Sequence, residues 1–169
     1  MSDVTISQAL RRIKKIKGQL AEHRSRANAA VTHLAEQTPA FSFEAETSVA
    51  AKAVNEMLRL QTAVAVANAL TTVEIDGHKV PLAFVVRQLR ELTGEIAWLK
   101  SLPVKAQDKT VESEQEHNGE RYVTVAKTYA CHLPEAKRAE LIKSRQTLFD
   151  QLNDLVETTN HKTAVSLVG

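Results

Sequence analysis

Four prolines lie between the segments of this sequence that carry helical periodicity. They are Pro39, Pro81, Pro103 and Pro134. A proline lacks a backbone N–H and disrupts a helix interior, so it is best tolerated between helices or in a first turn. The spacing therefore predicts a mainly α-helical fold, with long antiparallel helices that form hairpins similar to coiled coils. We expect one domain over residues 1–169.

The first segment predicts a helix from about Thr5 to Gln37, with Thr5 or Ser7 as its cap. Apolar residues recur along one side of this predicted helix, and Lys17 and Arg24 interrupt that apolar seam. The interruption has two interpretations. The helix is either a coiled coil whose cations set register or partner, or a straight helix in which Ile16 replaces Lys17 and both cations reach solvent. The apolar residues that recur every seven positions are Ile6, Ile13, Leu20, Ala27 and Leu34, with Leu10 and Val31 on the alternate seam position.

The second segment predicts a helix that is capped by Ser42 and ends near Leu70. Apolar residues cover much of its circumference, so we expect it to be the most buried helix. The Asp76-Gly77 pair that follows predicts a tight β-turn, because these residues tolerate the positive φ of two-residue turns.

The third helix should run from Pro81 to about Ser101 with one broad apolar stripe. Phe84 and Trp98 lie on the side of the helix that is opposite this stripe. A helix with apolar groups on both faces usually has a partner on both. The alternative is that one of the two aromatics is simply exposed.

The helical period stops between Pro103 and Pro134. Asn118-Gly119 is a strong hairpin signal and predicts an inserted β-hairpin arm at about 109–130. A turn at this pair would place Glu116 opposite Arg121, and Thr110 opposite Lys127.

Pro134 at a first-turn position predicts a last helix that ends near Asn160. The apolar tail, Thr163–Val168, could add a short strand or dock on a neighbour.

Cysteine content and apolar runs predict a cytoplasmic chain. Cys131 is the single cysteine and has no partner for a disulfide, and no apolar signal region follows Met1. The longest apolar runs, 63–67 and 82–86, have five residues, whereas a membrane span needs about 20. We therefore expect no stable membrane insertion.

No pattern in the sequence indicates catalysis, a metal or a cofactor. The six histidines are scattered without the short spacings of a zinc site, and Cys131 and His132 would point to opposite sides of an extended chain. A glycine-rich phosphate loop and a nucleophile elbow are both missing. We predict that the chain is not an enzyme and holds no cofactor or metal.

Charge is unevenly distributed along the chain, although the net charge is only +2. The predicted first helix is basic, which could serve an anionic partner or the acidic surface of another subunit. Several of its cations share one flank and could neutralise nucleic-acid phosphates, although a solvated basic flank is also common. The candidates are Arg11, Arg12, Lys14, Lys15, Lys17, Arg24 and Arg26.

A set of polar and apolar residues around the last helix resembles the septicolysin family of small bacterial proteins. The similarity covers roughly residues 55–165 and includes Leu152, Asn153, Val156, Glu157 and Asn160, after Asn68 and Thr71 before the Asp76-Gly77 turn. The resemblance implies a helical core with an inserted β segment and self-assembly. The family name implies a haemolysin or pore-former.

Three functional hypotheses follow. The first is a non-enzymatic protein that forms a homo-oligomer through its heptad-patterned helices. Its interface candidates are Ile6, Leu10, Ile13, Leu20, Leu34, Phe84 and Trp98. The second is a nucleic-acid-binding protein that uses the basic first helix. The third, a membrane-active or pore-forming assembly, depends on the family name alone.

Overall fold

A computed structural model describes residues 4–34, 36–104, 111–118, 121–128 and 132–166, and for 111–118 and 121–128 it describes the backbone pairing only. These residues form four helices, α1 (Ile6–Val31), α2 (Phe43–Leu70), α3 (Leu82–Ser101) and α4 (Glu135–Lys162). Three antiparallel strand pairs accompany them: β1 (Val4–Thr5) with β6 (Ala164–Val165), β2 (Thr72–Ile75) with β3 (His78–Pro81), and β4 (Val111–Asn118) with β5 (Arg121–Thr128). The predicted mainly helical fold with an inserted β-hairpin is confirmed.

The chain divides into two compact units, Met1–Val86 with Asp154–Gly169, and Arg87–Asn153. The first unit contains α1, α2, the two shortest sheets and the adjoining ends of α3 and α4. Its most deeply buried side chains include Ile6, Leu82 and Val85. The second unit contains the β4–β5 arm and the rest of α3 and α4, with Leu92, Ile96, Leu99 and Leu152 buried. The expectation of one domain over 1–169 stays a prediction.

Helix α1 begins where the sequence predicts and ends earlier. The Gln8 backbone N–H donates to Thr5 Oγ1 at 3.3 Å, and Gln8 Oε1 accepts from the Thr5 backbone N–H at 3.0 Å, which is a complete capping box. The predicted end at Gln37 is wrong, because the helix stops at Val31. There the β-branched pair Val31-Thr32 has low helix propensity. The chain then turns, with the Gln37 N–H donating to the Leu34 carbonyl at 2.9 Å.

Helices α1 and α2 form an antiparallel hairpin with one register. Two polar contacts join them, Arg12 with Glu56 and His23 with Glu46. The residue numbers in the two pairs add to nearly the same value, 68 and 69, as antiparallel helices require. Ser42 caps α2 as predicted, with its Oγ accepting from the Ala45 N–H at 3.2 Å.

The Asp76-Gly77 turn between β2 and β3 is confirmed. Asp76 has φ 51° and Gly77 has φ 79°, the left-handed values that a two-residue hairpin turn requires. The strands pair from Ile75 with His78 back to Thr72 with Pro81. The Leu82 N–H then donates to the Thr71 carbonyl at 2.8 Å, so the turn brings the start of α3 to the end of α2.

The β4–β5 arm lies where the sequence predicts it, but the predicted register is wrong. Arg121 pairs with Asn118 instead of Glu116, and Lys127 pairs with Glu112 instead of Thr110. The shift arises because Asn118 is the last strand residue and is not part of the connection. Thr110, Gly119 and Cys131 lie outside the described residues.

The apolar tail adds a short strand, which is one of its two predicted arrangements. Val165 pairs with Val4, and Ala164 pairs with Thr5. The Ile6 N–H donates to the Thr163 carbonyl at 2.9 Å, so Thr163 is hydrogen-bonded to the first residue of α1. Residues 167–169 lie outside the described residues.

Candidate interaction surfaces

The heptad residues of α1 face the interior of their own unit. Ile6, Ile13 and Leu20 are buried, with Ile6 fully inaccessible to solvent. We therefore remove these three from the interface candidates, because α2 and its neighbours already cover them. Leu10 stays exposed on the flank of α1. Leu34 is exposed as well, but it lies in the loop beyond the helix, so the predicted heptad does not reach it.

The structure agrees with the second interpretation of the interrupted seam, the straight helix. Ile16 is buried, whereas Lys17 and Arg24 are exposed. This is the arrangement of a straight helix in which Ile16 replaces Lys17 on the apolar side. Neither cation interrupts a packed seam in the chain itself.

Helix α2 is not the most buried helix, and that prediction is wrong. It buries Leu60, Ala63 and Val64 among its 28 residues, whereas α1 buries seven of 26. In the hairpin register, Leu60 and Ala63 are level with Ala9 and Ile6 of α1. Other apolar residues of α2, such as Ala53 and Met57, are only half-buried, and Val49, Leu58, Val66 and Leu70 are exposed, because the apolar residues surround the helix.

One row of residues along α2 is uncharged and largely uncovered, and we name it the outer stripe. Its members recur every three or four residues, so they share a side of the helix. Val54 is half-buried, and the others are exposed, including Leu58 at 52%. The outer stripe consists of Thr47, Ala51, Val54, Leu58, Gln61 and Ala65. Sequence reasoning missed it, although the absence of charge at this spacing was a visible signal.

Phe84 and Trp98 remain exposed on α3, at 54% and 58%. Both interface candidates are therefore available to a partner. Each belongs to a different compact unit, so each is a separate candidate.

The basic residues of α1 divide into paired and unpaired groups. Arg12 Nε donates to Glu56 Oε1 at 2.6 Å, and Arg26 forms an ion pair with Glu22. Arg26 also lies 5.2 Å from the centre of the Phe41 ring. The remaining candidates are exposed and form no ion pair with the described part of the chain: Arg11, Lys14, Lys15, Lys17 and Arg24.

A half-buried polar contact joins the hairpin near its loop. His23 Nδ1 lies 2.5 Å from Glu46 Oε2, with side chains 23% and 14% exposed. Neither group is freely solvated, so breaking their contact would leave polar atoms poorly hydrated. The contact therefore favours the observed register of α1 against α2. Among the described contacts, no further acid, base or nucleophile adjoins this pair.

Within the second unit, the described polar contacts of α4 include one with α3 and one with Leu102, the residue after α3. Arg145 Nε donates to Glu95 Oε1 at 2.7 Å, and Arg138 donates to the Leu102 carbonyl at 2.9 Å. A shallow, mainly apolar concavity between these helices is lined by Thr93, Ile96, Ala97, Lys100, Gln146 and Phe149. It has no pair of groups suited to acid–base chemistry.

The described residues form neither a metal-binding cluster nor a membrane-spanning helix. They contain no cluster of three or more His, Cys, Asp or Glu side chains that could hold a metal ion. None of their helices is long and apolar enough to cross a membrane.

Comparison of the chain with protein-family models, curated proteins and solved structures finds no match. The resemblance to the septicolysin family therefore stays a prediction.

Proposed function

We propose that this chain is a non-enzymatic protein that assembles with copies of itself through the α1–α2 hairpin. The observation that supports the proposal is the outer stripe of α2, which is uncharged and largely exposed. Apolar side chains gain about 25 cal/mol for each Å² removed from water. A helix with apolar residues outside its own core therefore gains free energy when a second surface covers it.

The size of the hairpin suits such an interface. A helix of 28 residues is about 42 Å long at 1.5 Å per residue. Two helices packed 8–10 Å apart present a face roughly 20 Å wide. The product, about 800 Å² for one whole face of the hairpin, is comparable with one side of a standard protein–protein interface, and the outer stripe lies within the hairpin surface.

The chemistry of the outer stripe favours a second copy as the occupant. A two-fold axis places the same surface of both subunits in contact. A stripe without charges can meet itself without like-charge repulsion, and its small residues, Ala51 and Ala65, permit close approach of the helices. Leu10, Phe84 and Trp98 remain further candidates for contact between copies.

The proposal is tested by substituting one residue of the outer stripe and one matched residue outside it. Leu58→Glu would place a carboxylate in the interface. Val66→Glu adds the same charge at a site of nearly equal exposure, 49% at Val66 and 52% at Leu58. An unpaired charge buried at an interface costs about 3 kcal/mol or more, which weakens association at least about 100-fold. Mass is measured by light scattering over a dilution series.

We expect an oligomer for the native chain and for Val66→Glu, and a monomer for Leu58→Glu. Helical circular dichroism should be equal in all three, since both sites are exposed. A native chain that is monomeric at micromolar concentration would remove the proposal. An oligomer that Leu58→Glu leaves intact would move the interface away from the outer stripe.

A further inference from the structure

The α1–α2 hairpin brings together cations that are far apart in the sequence. Segments 8–21 and 47–60 lie side by side, because Arg12 contacts Glu56 and His23 contacts Glu46. These two segments contain seven Lys or Arg and a single acidic residue, Glu56. The whole chain, in contrast, has 22 basic and 20 acidic residues. These two segments therefore have an excess of positive charge.

The Arg12–Glu56 ion pair identifies the side of the hairpin on which most of these cations lie. Its side chains are 55% and 42% exposed, so the pair spans the groove between the helices at the surface. Residues one turn away on each helix share that side. They are Lys15, one turn after Arg12, and Lys52 and Arg59, which come one turn before and after Glu56. Arg11 borders the same side.

We name this surface the basic face, which consists of Arg11, Arg12, Lys15, Lys52 and Arg59. All five side chains are exposed. Glu56 neutralises Arg12, and within the described part of the chain the other four have no ion pair or hydrogen bond. Four uncompensated cations on one open surface attract a partner with several separated negative charges.

We propose that the basic face binds the phosphate backbone of double-stranded nucleic acid without sequence preference. The face is open and has no enclosing donors, so it suits a row of phosphates better than one small anion. Lys52 and Arg59 are seven residues apart, about 10 Å along the helix, and α1 lies another 8–10 Å away. Duplex DNA has one phosphate for every 1.7 Å of its axis, so this footprint spans several phosphates.

The absence of aromatic side chains favours a duplex over a single strand. Proteins that bind single strands stack the bases on aromatic residues. Neither segment 8–21 nor segment 47–60 contains Phe, Tyr or Trp. Backbone contacts by Lys and Arg position a protein on a duplex but carry no base information.

The binding test uses the full-length chain and a fluorescently labelled 20-base-pair DNA duplex, with anisotropy measured at 50 and 200 mM NaCl. With about four phosphate contacts and a slope near 0.9 per contact, affinity should fall roughly 100-fold over this range. The double variant Lys52→Glu with Arg59→Glu should bind at least 10-fold more weakly at 50 mM and reduce the salt slope by about two.

Two further variants serve as comparison and control. Arg11→Gln with Lys15→Gln removes cations from α1 and should also weaken binding. Lys137→Glu with Lys143→Glu makes the same change of net charge as the α2 double variant at exposed sites of α4, and should bind like the native chain. Circular dichroism confirms that each variant retains its helices.

Three results would overturn the proposal. They are no binding to duplex at 50 mM salt, whether or not anionic vesicles are bound, equal loss in the α2 and α4 double variants, and tighter binding of a single-stranded 20-mer than of the duplex.

Discussion

Helices α1 and α2 are nearly equal in length and lie side by side, yet they bury their side chains differently. α1 buries seven residues, and α2 buries three. The apolar residues of α1 share one side, which its neighbours cover, whereas those of α2 surround the helix. The apolar content of a helix alone therefore does not predict its burial, because one neighbouring element covers only one side of a helix. The outer stripe, which is one part of the remaining apolar surface of α2, is what the proposed self-association would cover.

The largest difference between the helices should appear when a large side chain is truncated. Ile6→Ala on α1 should lower the free energy of unfolding by about 3 kcal/mol, because Ile6 is fully buried. Leu58→Ala on α2 should cost less than about 0.5 kcal/mol in dilute solution, where no partner covers it. Urea unfolding at two protein concentrations measures both. Equal costs in dilute solution would mean that Leu58 is covered by its own chain.

A smaller difference is expected at the two helix caps. Thr5 and Gln8 form a complete capping box on α1, whereas Ser42 on α2 accepts one backbone N–H. Thr5→Ala should therefore cost about 1–1.5 kcal/mol and Ser42→Ala about 0.5–1 kcal/mol. The unfolding temperatures of the two variants show which substitution lowers stability more. If Ser42→Ala proved the more damaging, the start of α2 would carry more of the stability of the hairpin than its contacts indicate.

The smallest effects concern the two contacts that join α1 and α2. Glu46 is 14% exposed and Glu56 is 42% exposed, so water replaces the lost contact more easily at Glu56. Glu46→Gln should cost about 1 kcal/mol, and Glu56→Gln about 0.5 kcal/mol or less, falling further at high salt. Denaturant unfolding at two salt concentrations tests this. A larger cost at Glu56 would contradict the burial that separates the two contacts.

Much of the fold could be predicted from local sequence signals. The cap at Thr5, the cap at Ser42 and the Asp76-Gly77 turn depend on residues close in sequence, so each is visible before the fold is known. The β4–β5 register was missed because the prediction placed Asn118 in the turn, whereas Asn118 pairs with Arg121, which changes each strand partner by two residues. The early end of α1 was missed because its apolar period continues to Leu34 beyond the last helical turn.

The candidate surfaces were predicted less well, because exposure depends on contacts between distant segments. The period of seven that marked Ile6, Ile13 and Leu20 as interface residues is also the pattern of a helix packed inside its own chain. Similarly, Lys52 and Arg59 join the basic residues of α1 only when the hairpin register is known. A pattern along one helix shows which residues share a side, and the register shows what lies opposite.

The central claim, that the outer stripe of α2 is covered by another copy of the chain, can be tested by photo-crosslinking. Leu58 is replaced by the photoreactive residue benzoylphenylalanine, and a second sample carries it in place of Val66, which has nearly the same exposure. Irradiation of the purified protein should give a covalent dimer from position 58 and little from position 66. If position 58 gave no covalent dimer at a concentration where the native chain is oligomeric, the claim would be contradicted.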